Sequence, residues 1–88
     1  MDPIKNGREY YMSLALALAE EAADNGEVPV GCVIADAGGK VIGRGRNRRI
    51  EKNDATAHAE MEAIREASAA LGDWRLDGCT MYVTLEPC

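Results

Sequence analysis

VPVGCVIADAGGKVIGRGRNRR, residues 28–49, holds two runs rich in β-branched residues on either side of DAGGK. VPVGCVIAD and VIGRGRNRR have strand composition. The glycines between them supply the positive backbone angles that a hairpin connection needs. The stretch therefore predicts an antiparallel hairpin. Glycines inside the second strand, Gly43 and Gly45, predict a face crowded against other backbone, or a bulge.

Helical periodicity flanks the hairpin on both sides. Before it, from Arg8 to Asn25, Tyr11, Leu14, Ala15, Leu18 and Ala22 recur at helical spacing, and Gly26 stands where a left-handed residue ends a helix. After it, the polar EKND leads into a second predicted helix from about Thr56 to Leu71. Met61, Ile64, Ser68 and Leu71 fall on one side of it, Thr56 or Asp54 is the expected N-cap, and Gly72 stands at its end. CTMYVTL, residues 79–85, reads as a buried strand, and Pro87 suits the first turn of a further helix. The order helix, strand, strand, helix, strand is that of a layered α/β fold, a sheet with helices packed against it. Over residues 1–88 that order gives a single domain that looks unfinished, with an uncovered sheet face and an open edge.

Composition narrows the function classes. Hydrophobic residues make up 47% of the 88-residue chain and charged residues 28%, values of a globular domain rather than a disordered tail. A net charge of -5 argues against a general nucleic-acid coat, which needs a basic surface. One basic strip exists, RGRNRR at Arg44 to Arg49, and by itself it fits a solvated strand and turn equally well. Three cysteines without a tight CxxC make no disulfide framework and point to a reducing compartment, the cytoplasm. The apolar run MSLALALA resembles a signal-peptide core, but Asp2 and Glu9 accompany Lys5 and Arg8 ahead of and beside it, so the positive bias of such a leader is missing. The run is also too short to span a bilayer.

The only histidine, His58, lies in TAHAE with Glu60 two places on. Alone, a histidine near a helix start is ordinarily a partly exposed polar residue, and an isolated cysteine such as Cys88 is ordinarily a small core residue. Residues i and i+2 point to different sides of a helix axis, yet from the first turn both address a point just beyond the N-terminus. The free backbone N–H groups there favour an anionic ligand. Pro87 places Cys88 at another predicted helix start, where the dipole favours the thiolate. An imidazole and thiolates around one open position form the pattern of catalytic zinc, with Glu60 as proton carrier rather than ligand.

TAHAE and LEPC resemble the two halves of the known H-x-E and P-C-x-x-C signature of the zinc-dependent nucleobase deaminases. EVPVG at 27–31, GRNR at 45–48, NDATAHAE at 53–60 and YVTLEPC at 82–88 follow in that family's order and spacing, and are most similar to its branch acting on adenosine in tRNA. The resemblance implies a three-layer α/β/α, cytidine-deaminase-like sheet with flanking helices, present here as its N-terminal part only. It implies zinc held by His58 and Cys88, proton transfer by Glu60, and a substrate pocket made by Asn47, Val30 and Ala59, with Asn47 bonded to the flipped base. The implied reaction is hydrolytic deamination of adenosine to inosine at the wobble position of a tRNA anticodon loop, by a homodimer, with arginines 44–49 near loop phosphates.

Two positions depart from the family's pattern. Ala55 stands where proline is usual, and Cys32, expected to be a core thiol, follows Gly31 where a small residue such as alanine is usual. The signature's second cysteine falls three positions past Cys88, so the expected ligand set within these residues is incomplete and the 88-residue piece is expected to be inactive by itself. Cys79 cannot complete it, since an extended strand would hold the two sulfurs over roughly 20 Å apart. Two other readings stay open. NDATAHAE and AIR also resemble deaminases of free bases or nucleotides, guanine above all, and the piece could equally be a non-catalytic deaminase fragment.

Overall fold

The computed structural model describes residues 7–48, 58–72 and 75–84. Helix α1, Arg8–Asp24, buries Tyr11, Ala15, Ala19 and Ala22, a stripe at helical spacing. Gly26 (φ +77°) turns the chain out of it into β1, Gly31–Ala35, and β2, Val41–Arg46. The expected hairpin forms for a local reason: Asp36 Oδ1 accepts the N–H groups of Gly38 (3.0 Å) and Lys40 (2.9 Å), while Gly39 takes φ +91°.

Both expected meanings of the β2 glycines are realised. Register slips between Ile34↔Gly43 and Ala35↔Val41, which makes Ile42 the extra residue of a bulge. Helix α2, Ala59–Leu71, also lies directly on β2. A Cβ on Gly43 would stand 2.3 Å from the Ala63 carbonyl oxygen, and one on Gly45 2.1 Å from that of Ala59.

Strand β3, Thr80–Val83, pairs antiparallel with the other side of β1, giving the order β2-β1-β3. Alternation along β1 divides the core between two layers. Cys32 and Ile34 pack with Ile42 against Ala59, Ala63 and Ala67 of α2. Val33 and Ala35 pack with Tyr11, Leu14 and Leu18 of α1, where Tyr82 stacks on Tyr11. The result is the expected α/β/α layering.

Three expectations need correction. α2 begins at Ala59 with His58 as its N-cap residue, later than Thr56, and the proposed caps Thr56 and Asp54 lie outside the described residues. Its buried stripe is Ala59, Ala63 and Ala67 with Ile64 alongside, whereas Met61 and Leu71 are exposed. Glycines on β2 bring the helix so close that only its smallest side chains fit between. The third strand covers Thr80–Val83 rather than 79–85, and Thr80 and Met81 are exposed. Among the described residues it has one sheet neighbour, and Met81, paired with Ile34 on the α2 side of the sheet, is left uncovered.

Among the described residues, the uncovered part of the sheet lies at β3. The outer edge of β2 is not open at Arg44, whose backbone N–H donates to Glu66 Oε1 at 3.0 Å, a carboxylate placed against further strand pairing. Among the described residues no helix is long and apolar enough to cross a membrane.

Candidate active site

Three of the predicted positions meet through backbone geometry. Asn47, at the exit of β2, is buried; its N–H donates to the Val30 carbonyl at 3.2 Å and its side-chain Oδ1 accepts the Ala59 N–H at 3.0 Å. Ala59 N–H is one of the four donors that a helix start leaves without an intrahelical partner. The cap of α2 is therefore tertiary. His58 occupies the N-cap position in extended conformation (φ -82°, ψ 155°), yet its side chain makes no capping bond. No local spacing signals this arrangement, because the capping residue sits twelve positions upstream on another element.

Ala59 is fully buried against the sheet, between the exposed His58 and the half-buried Glu60. Both flanking side chains thus belong to the entry of α2, as their placement in a first turn requires. Val30 packs on the Cys32 cluster beneath. The Cys32 thiol is pushed up from 9.0 to about 12, by burial first and then by the negative charge of Glu60.

Cys32 is accordingly the core thiol expected, and two results follow. Iodoacetamide at about pH 8 should leave Cys32 unmodified in the folded protein and label it on unfolding, as read by peptide mass. Folded Cys32 holds its proton between pH 9.0 and about 12 while the unfolded thiol loses it, so stability should fall as pH rises through that window. Equal labelling in the folded and unfolded protein would show the thiol to be accessible.

The basic strip does not form a continuous cationic surface. Arg46 is buried, with Nε on Glu21 Oε1 of α1 at 2.9 Å. Arg48 Nε stands 3.1 Å from Glu62 Oε1 in the first turn of α2, and Arg44 Nη1 lies 3.9 Å from Glu66 Oε1. These arginines bind the end of β2 to both helices and so hold Asn47 in place between them. Arg49 lies outside the described residues.

Among the described residues no group of three or more His, Cys, Asp and Glu is gathered closely enough to hold a metal ion. Cys88, the predicted thiolate ligand, lies outside them. His58 meets the chemical requirement on its own side. It is exposed and its side chain makes no capping bond, on a helix start whose orientation is fixed by Asn47.

Residues 5–88 match a family model described as the cytidine and deoxycytidylate deaminase zinc-binding region. The tRNA-specific adenosine deaminase of Streptococcus pyogenes serotype M18 is 52% identical over 79 residues, which cover 90% of this chain and 49% of that protein. A structure from a study of A-to-I editing by tRNA:A34 deaminases at the wobble position superposes with a TM-score of 0.84 at 52% identity, covering 92% of this chain and 62% of the other. Guanine deaminase from Bacillus subtilis superposes with a TM-score of 0.83 at 41% identity, covering 93% and 52%. The chain spans half or less of the length of the curated relatives it matches.

Proposed function

This chain belongs to the cytidine and deoxycytidylate deaminase zinc-binding family, and from that premise we propose that it contributes the base-binding and proton-transfer half of a hydrolytic deaminase acting on wobble adenosine in tRNA. The observation that carries the reading is the Asn47–Ala59 hydrogen bond. It joins the residue proposed to hold the base to the helix start that bears both His58 and Glu60.

His58 and Cys88 would hold zinc, and the chemistry zinc supplies when bound is a water acidified to near neutral pH. Glu60 would take one proton from the attacking water and pass it to the ring nitrogen, then take the second from the hydroxyl added to the ring carbon and pass it to the amino group, which leaves as ammonia. Asn47 spends its Oδ1 on Ala59, which leaves its Nδ2 to donate to an acceptor on the base. Val30 and the buried Ala59 shape the apolar floor beneath the ring. A single-stranded anticodon loop is a suitable substrate because its bases can be splayed out and read one at a time. A cytoplasmic homodimer is the proposed setting.

The fold by itself does not choose between tRNA and a free base, since the A34 deaminase and the guanine deaminase superpose almost equally well. Higher identity to the first supports RNA. The protein carrying this chain should convert adenosine to inosine in an anticodon stem-loop, and ammonia release from guanine without inosine formation would replace this reading with the second.

Asn47→Asp separates the two duties of that residue. The variant keeps an oxygen acceptor for Ala59 N–H and lacks the amide donor. Because the site is buried, the new carboxylate should cost about 1–3 kcal/mol of stability without preventing folding, while kcat/KM should drop by about tenfold or more. Urea melts and steady-state kinetics together check it, and unchanged kinetics would remove Asn47 from the base contact.

A further inference from the structure

The backbone of Val30–Gly31 is a junction that the proposed chemistry, which draws only on the Val30 side chain, does not use. On one side the Val30 carbonyl receives Asn47 N–H at 3.2 Å, and Asn47 in turn caps α2 at Ala59. On the other side, Thr84 clasps Gly31. Thr84 N–H donates to the Gly31 carbonyl at 3.0 Å, Thr84 Oγ1 accepts Gly31 N–H at 2.9 Å, and the same hydroxyl lies 3.4 Å from the Gly31 carbonyl. Thr84 is buried, so these bonds exchange poorly with water. Gly31 is closely packed: a Cβ there would stand 1.9 Å from the Ala15 carbonyl oxygen and 2.7 Å from Ala19 N, so α1 lies directly on it.

Two adjacent peptides thus set the end of β3 in fixed register with the start of α2. Cys88 follows Thr84 by four residues, whereas His58 and Glu60 sit at the start that Asn47 caps. We propose that Thr84 is a positioning residue, whose hydroxyl fixes the point from which the Cys88 segment departs relative to the His58–Glu60 helix start. The proposal rests on the zinc reading above. Threonine suits the task because its hydroxyl both accepts and donates, so it reaches both backbone polar groups of one residue. Valine has nearly the same shape and does neither.

The test compares Thr84→Val and Thr84→Ser with the parent, in the zinc-loaded protein that carries this chain. Zinc affinity is read by chelator competition, and kcat and KM are read separately. Thr84→Val should bind zinc about tenfold more weakly and lose kcat with KM unchanged. Thr84→Ser, which keeps the hydroxyl, should recover the parent's zinc affinity. A valine variant with parental zinc affinity would overturn the proposal and leave the zinc reading intact. A valine variant that does not fold, with Thr84→Ala behaving likewise, would assign the hydroxyl to stability alone and overturn it too. A parent that binds no zinc would remove the reading beneath both.

Discussion

Glu60→Gln is expected to retain the zinc content of the parent and to lower kcat by about 10²–10⁴-fold. The amide has the size and much of the hydrogen-bonding capacity of the carboxylate but cannot take a proton. Its site supports that role in physical terms. Glu60 lies in the first turn of α2 and is half-buried, beside the fully buried Ala59. His58 lies two positions away on the opposite side of Ala59, so removing the acid leaves the proposed ligand undisturbed. Elemental analysis gives the zinc content and single-turnover kinetics give the chemical step. A Gln variant with loss of zinc and turnover together would make Glu60 a ligand, and one with full turnover would move the proton relay to another residue.

Local chemistry made the hairpin readable. DAGGK encodes its own turn through Asp36 and Gly39, and the left-handed ends at Gly26 and Gly72 depend on nothing beyond their own backbone angles. The inward face of α2 was not readable, because Ala59, Ala63 and Ala67 are selected by glycines on another element rather than by the helix's own periodicity. The exposure of β3 is not legible for a related reason: CTMYVTL has the composition of a central strand, and composition carries no count of neighbours. At the site, the HxE motif at a helix start follows from spacing, and the family resemblance adds Asn47 and Val30. Neither discloses that Asn47 caps that helix, nor that Thr84 grips the residue beside Val30. Those are contacts between segments, and a single sequence records only their ends.

Gly45→Ala is expected to cost about 3 kcal/mol or more, a large share of what a domain this small possesses. The added methyl would lie 2.1 Å from the Ala59 carbonyl oxygen and 2.7 Å from Ala63 N, with Glu62 Cβ at 2.9 Å. The nearest two are backbone atoms, so no side-chain rotation relieves the clash and the first turn of α2 must lift away from β2. That movement stretches the Asn47–Ala59 bond (3.0 Å) and the Arg48–Glu62 pair (3.1 Å), which are the links that orient His58 and Glu60. Loss of stability and loss of zinc affinity should therefore appear together. Gly72→Ala provides the control for any general effect of replacing glycine. It has no atom within 4 Å of the added Cβ, but its φ of +68° costs about 1 kcal/mol in any residue with a side chain. Urea melts of the two variants separate backbone strain from steric contact. If Gly45→Ala proves as mild as Gly72→Ala, the close seating of α2 on β2 is wrong, and the geometry proposed for the site goes with it.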